Sequence, residues 1–395
     1  MQSTDLKDNI VLRLSDLIKT YPEDNRHPYQ KAINGPLWKD DEIGKIYFDL
    51  MRNKKEYAIF DNHLQNLGNG ASNTTIQDLV DWTINRARTV GADKAIEELD
   101  AYVSSTEVKV DLIELIVGVY LDCEFKFSNG VRFTSPNNIS DSSLASAICN
   151  ESFGIRTPLP QVTAVSIIQF EQPINHRRNT DIESKRVTVE LPNESLRAAR
   201  LCLSLARPVN YGVHSIASGV VAPDNLPFVS GGQSWSIIPF KHPPLAPSVL
   251  KIELERANQI LIKFELLQPN FQNKLLIPLE KLNSFGSAES LVDRAIYLRI
   301  CLESIFLTDG NKDQLRYRLA LRAALFLGST LDERRNIFKL IKDAYDITSS
   351  AVHNGKFSKN DKIEILDKAA KLAQTALIKL IEKGNVDWED LELEN

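Results

Sequence analysis

From residue 249 to residue 382 the chain carries no strand pattern. Five stretches (249–283, 288–307, 313–327, 331–353 and 361–382) place their apolar residues three and four apart. Gly286, Gly310, Gly328 and Gly355 lie in or beside the breaks between the last four. Long amphipathic segments joined by short breaks bury their apolar faces by packing antiparallel against one another. An all-α bundle is therefore expected for residues 246–395.

The pattern is different upstream. Ser3 and Thr4 precede Ile10, Val11, Leu14, Leu17 and Ile18, and Thr74 and Thr75 precede Ile76, Leu79, Val80, Trp82 and Ile84; both are helical spacings behind capping residues. With "DKAIEELDAYV", these predict a mainly helical region over 1–110. The character changes near residue 118. Phe125 and Phe127, then Asn129-Gly130, then Val131 and Phe133 read as a hairpin, because Asn and Gly tolerate positive φ. "QVTAVSIIQFEQPI", "SKRVTVELP" and "SWSIIPF" read as further strands, and "PNESLRAARLCLSLA" as a short helix capped by Asn193. Residues 111–245 are thus expected to be mixed α and β with antiparallel strands. The Pro-rich "FKHPPLAPSV" (240–249) marks a boundary to the bundle, since proline lacks the donor that helices and central strands need. The fold class is α+β.

A net charge of −5 argues against a protein that coats nucleic acid with its whole surface, so any such contact has to come from a local basic patch. Cys123, Cys149, Cys202 and Cys301 are far apart, and no histidine pair has helical ligand spacing. Four buried, reduced thiols and no metal or other cofactor are expected, which fits a reducing cytoplasm. The charged N-terminus has no apolar core of a signal peptide, and no run of 18 apolar residues occurs, so no membrane association is expected. Gly231-Gly232 lacks the Lys-Ser/Thr of a phosphate-binding loop, and "NHRRN" (175–179) reads as a small basic loop between strands.

The helix over 331–353 ends "YDITSSAVHNGKF". His353 stands just before Asn354-Gly355, a helix-ending pair, and the helix dipole favours a histidine there without any function. Lys339, Lys342, Asp346, Ser349, Ser350 and His353 recur at three to four residues and form one polar strip. Such a strip is either a solvated face or a phosphate-tracking groove with the lysines as point charges. Asp346 repels phosphate in the second reading, yet it can pair with Lys342 or orient His353. Arg299 and Glu303 read as an intrahelical pair. The acidic tail "NVDWEDLELEN" reads as frayed, with Trp388 able to dock it.

"DRAIYLRICLESIFL", "YRLALRAALFLG" and "ERRNIFKLIKDAYDITSSAVHNG", with the helix that follows, stand in an order and spacing that resembles the HEPN superfamily in its Apea-like branch, over about residues 285–385. The resemblance implies a four- or five-helix bundle that forms a homodimer. In active members an Arg and a His, four to six residues apart, line a cleft at the dimer interface and cut RNA without metal. His353 would then transfer the proton of a 2′-hydroxyl, with Ser349 and Asp346 as further catalytic candidates. Lys339, Lys342, Arg334, Arg335 and Ser350 would contact RNA. Where the family's Arg most often falls, this chain has Thr348, which carries no charge to stabilise the phosphoryl oxygens. A cation would have to come from the dimer mate or from Arg316, Arg318 or Arg322. The implied function is that of an RNA-associated protein of defence or toxin type, binding or assembling with nuclease activity weak or lost, and with residues 1–245 as sensor or targeting module. An active ribonuclease using His353 and a dimerisation module without nucleic acid are the alternatives.

Overall fold

The computed structural model describes residues 3–21, 36–61, 63–67, 70–139, 162–173, 175–178, 192–227, 235–237, 247–307, 314–354 and 361–393, with backbone alone at 3–5, 63–67, 70–74, 175–178, 235–237, 352–354 and 361–362. Four helices dominate the N-terminal region: α1 (Ser3–Thr20), α2 (Glu42–Asn53), α3 (Ile76–Val90) and α4 (Ala92–Ser104). Asp41 starts α2 by accepting the Ile43 and Gly44 amides at 3.0 and 3.3 Å. Thr75 and Asp78 start α3 as a reciprocal capping box. Gly91, at φ 89°, turns the chain from α3 into α4. Ile10, Leu14 and Leu17 of α1 meet Tyr47, Leu79 and Leu99 in one buried cluster.

This region is not purely helical. A hairpin, β1 (His63–Leu67) and β2 (Gly70–Thr74), interrupts it, and β8 (Asn175–Arg178) pairs antiparallel with β1 to make a three-stranded sheet. The "NHRRN" stretch expected as a loop is therefore largely strand.

The main sheet has six strands in the order β10-β9-β3-β7-β6-β5, every neighbouring pair antiparallel. Its central strand is β3 (Glu107–Val117), flanked by β7 (Ala164–Pro173) and β9 (His214–Val221). β3 starts as an alternation and ends fully buried, because one face meets the helices through Val108, Val110 and Leu112 while Ile113, Leu115 and Val117 join a second cluster. The expected hairpin is present: β5 (Phe125–Lys126) and β6 (Arg132–Thr134) flank a turn with Gly130 at φ 86°. β10 (Trp235–Ile237) forms the far edge, and "SKRVTVELP" lies outside the described residues. Helix α5 (Asn193–Ala206) begins after Pro192 without a side-chain cap, so Asn193 is its first residue and not its cap.

Among the described residues seven helices follow: α6 (Lys251–Glu265), α7 (Pro269–Ser287), α8 (Leu291–Phe306), α9 (Leu315–Leu327), α10 (Leu331–Asn354), α11 (Asp361–Lys383) and α12 (Trp388–Leu393). The first stretch, 249–283, is two helices, parted where Pro269 opens α7 at a position that needs no amide donor. α8 lies centrally against α7, α9, α10 and α11, and α6 and α7 also pack on α5.

Contacts cross the proline-rich connector. β11 (Ser248–Val249) pairs parallel with β4 (Tyr120–Leu121). Arg207, 2 % exposed, donates to the carbonyls of Gly118 and Pro247 at 3.1 and 3.2 Å, and Gln374 on α11 donates to those of Leu205 and Arg207. A guanidinium this enclosed holds its place by satisfying backbone oxygens that water cannot reach.

Candidate functional site

Helix α10 starts at a reciprocal cap. Glu333 accepts the Ser329 and Thr330 amides at 2.8 and 3.1 Å, and the Glu333 amide donates to the Thr330 hydroxyl. Those amide bonds hold the Glu333 carboxyl below its usual pKa. Arg334 turns back toward Gly328 and donates Nε to its carbonyl at 3.1 Å. That bond ties the half-buried Arg334 to the turn before α10.

Ile341, Ala344, Ile347, Thr348 and Ala351 form the buried face of α10. The opposite face carries Arg335, Lys339 and Asp346 in the open, with Lys342, Ser349 and Ser350 half-buried beside them. Lys339, Lys342, Ser349 and Ser350 are thus brought onto one side. Arg335 is exposed and pairs with Asp332 at 3.5 Å, an exposed contact worth little. The ammonium of Lys342 lies 5.8 Å from the ring centre of Phe338, which meets Tyr317 of α9 edge to face at 5.5 Å. Tyr317 is 49 % exposed. An open aromatic beside lysines is the pairing that stacks an unpaired base while holding its phosphate. The aromatic half was legible in the sequence only as Tyr317 between Arg316 and Arg318, and as Phe338 one turn before Lys342.

Asp346 is tied to Arg316 of α9 in an ion pair. Both partners are about half exposed, so the pair holds Arg316 only weakly. Arg322 is enclosed completely, donating Nη1 to the Phe306 carbonyl at 2.8 Å and Nε to Glu392 of α12. It cannot serve as a borrowed cation. Helical register places position 353 on the strip's face; its side chain lies outside the described ones.

Thr348 corrects the site more sharply. It has no exposed surface, and its hydroxyl donates to the Tyr345 carbonyl at 3.0 Å. A guanidinium at this position would point into the bundle, not across an open face. On the neighbouring flank Arg299 pairs with Glu303 at 2.9 Å, as its spacing predicts, and also donates to the Tyr345 hydroxyl at 3.2 Å, pinning α8 to α10.

The tail is ordered as α12. Trp388 is 6 % exposed, edge to face with Phe306 and Phe326, so docking and not fraying is found over Trp388–Leu393. Among the cysteines, Cys202 and Cys301 are buried and burial pushes both thiols far up; Cys123 is exposed, contrary to expectation, and Cys149 lies outside the described residues.

A second polar cluster joins β9 to α7. His214 Nε2 lies 2.5 Å from Ser287 Oγ, and Nδ1 lies 3.4 Å from the Asn283 amide nitrogen. Asn283 is fixed in that orientation, accepting the Val213 amide at 2.7 Å and donating to the Val213 carbonyl at 2.9 Å. A donor facing Nδ1 leaves that nitrogen unprotonated, so Nε2 carries the hydrogen and donates to Ser287. The tautomer is the reverse of what a base activating a serine requires. Burial, with Arg200 adding to it, pushes the imidazole pKa down to about 3. This cluster fastens the sheet to the helices.

Among the described residues no group of three or more His, Cys, Asp or Glu side chains is placed to hold a metal ion, and no helix is long and apolar enough to cross a membrane. Comparison with protein-family models, curated proteins and solved structures returns no match.

Proposed function

We propose that this is a cytoplasmic RNA-associated protein of HEPN type, homodimeric through its helical bundle, which binds RNA without cutting it. The exposed face of α10 is the binding surface: Lys339 and Lys342 hold phosphates, Ser349 and Ser350 donate hydrogen bonds, and Tyr317 offers a ring for an unpaired base. In this reading the protein belongs to a defence or toxin system and residues 1–245 sense or target. What supports the loss of cleavage is the fully buried Thr348 where active relatives carry an Arg, with Arg322 enclosed against Glu392. Losing one preorganised charge donor costs on the order of 10²-fold in rate or more.

The register of α10, which carries position 353 on the same face as the lysines, favours one second reading: a metal-independent ribonuclease using His353. Incubating the full chain with a labelled RNA pool in EDTA separates the two. Intact, retained RNA is expected. Fragments that disappear in His353→Ala would establish the second reading instead, and an RNA pool neither retained nor cut would remove both.

A further inference from the structure

Helix α6 packs against α5 and α11 through Leu254, Ala257, Ile260, Leu261 and Phe264. Its outer face is left open and sets aliphatic side chains around the exposed Glu255, the last of them at the C-cap Leu266. Ile252, Ile262 and Leu266 are 69 %, 43 % and 80 % exposed, with Gln259 among them. Their spacing, 252, 259, 262 and 266, follows the three-and-four repeat of a helix that packs on another helix. Three large aliphatic side chains aligned on one open helix face mark an interaction surface.

We propose that this face binds the same face of a second copy of the chain, the two α6 helices antiparallel about a two-fold axis at Gln259. In that arrangement each end of the pattern meets the other, and Glu255 of each copy comes level with Lys263 of its mate. Ile252 and Leu266 stand seven residues to either side of Gln259, about 10 Å along the axis, so Ile252 of each copy comes level with Leu266 of the other. The charges agree. Arg256 has no acidic partner among the described residues. It comes level with Ile262 and Lys263 of the mate, and Lys263 is accompanied by Glu382 at 2.7 Å. Glu382 thus meets Arg256 across the axis while retaining its own lysine. A parallel pairing would instead set Glu255 against Glu255, a like-charge contact that disfavours it. One pair of helices about 22 Å long covers less than the ~800 Å² per partner of a standard interface, so the dimer is weak and concentration-dependent. This face is on α6 and not on the α10 strip, where the resemblance sets a dimer cleft, and it does not require RNA.

Sedimentation equilibrium of the full chain tests it. A dimer that dissociates in the micromolar range is expected. Ile252→Glu alone and Leu266→Lys alone each set a charge against an aliphatic side chain of the mate and should weaken association by about tenfold or more. Combining the two sets the new carboxylate opposite the new ammonium and should recover much of the affinity. Both positions are exposed, so melts recorded below the concentration at which the wild type dimerises should be unchanged in every variant. A monomeric wild type, or single variants that associate normally, would overturn the interface; a combined variant no better than the single ones would overturn the antiparallel pairing. RNA retention is measured on the same samples, and a monomer that still retains RNA overturns the interface without touching the RNA reading.

Discussion

Thr348 and Tyr345 are joined within one turn of α10: the threonine hydroxyl donates to the tyrosine carbonyl at 3.0 Å, and no surface of Thr348 is exposed. The same turn presents the Tyr345 hydroxyl to Arg299 on α8. The helix thus divides sharply into a face that builds the bundle and a face that carries cations, and position 348 belongs to the first.

Thr348→Arg therefore should not create a ribonuclease. An unpaired guanidinium forced among Ile341, Ala344 and Ala351 costs about 3–5 kcal/mol, whereas Thr348→Val, which keeps the shape, stays within about 1 kcal/mol. Urea midpoints distinguish the two, and a stable Thr348→Arg protein would contradict the placement.

Gly286 sits near the end of α7, where alanine normally favours a helix. Here an added Cβ would stand 2.5 Å from the Val209 carbonyl oxygen and 3.0 Å from the Gly212 amide nitrogen. Gly286→Ala should destabilise by about 1–3 kcal/mol, the reverse of the ordinary helix preference. Equal or higher stability would mean that the approach of this loop to α7 is not as described.

Trp388 closes the bundle between Phe306 and Phe326, and the same short helix brings Glu392 to the enclosed Arg322. Trp388→Ala should cost about 3–5 kcal/mol. Removing residues from 388 onward should cost at least as much, since it also strips Arg322 of its carboxylate. Thermal unfolding of the two variants checks this; an unaffected truncation would show that the tail is a passive appendage.

His214 keeps its proton only near pH 3 when folded, against 6.5 for an ordinary imidazole, because burial and then Arg200 disfavour the cation. Between those values the unfolded chain holds more protons. Stability contributed by this group is complete above about pH 6.5 and is lost as pH falls toward 3. Denaturation midpoints at pH 7 and pH 4.5 should differ less in His214→Gln than in wild type; an equal difference would show that the imidazole does not titrate this way.

Much of the architecture is legible in the residues alone, and the gaps have physical causes. Asn129-Gly130 announces its hairpin because the turn is local. The bundle helices are announced by long periodic faces. By contrast, β3 ends in the run Leu112–Val117 within "DLIELIV", apolar but for the buried Glu114, and periodicity alone does not separate a fully buried strand from a buried helix there. The pairing of β8 with β1 joins residues more than a hundred positions apart, and no local pattern encodes it. The burial of Thr348 was within reach, since it falls four residues after Ala344 and seven after Ile341, on the core stripe. Arg322 was not: an arginine in an Ala/Leu-rich helix reads as snorkelling until a carboxylate seventy residues later is known to reach it.

The salt dependence of RNA binding tests the central claim most directly, namely that the outer face of α10 holds RNA through Lys339 and Lys342. The logarithm of the association constant for a single-stranded RNA, measured in EDTA by fluorescence anisotropy, is plotted against the logarithm of salt concentration for wild type and for Lys339→Gln with Lys342→Gln. Each lysine that no longer neutralises a phosphate should flatten the slope by about 0.7, so the double variant should bind more weakly with a slope shallower by about 1.4, the RNA remaining intact throughout. Identical slopes in the two proteins, or no binding by wild type at low salt, would contradict the account.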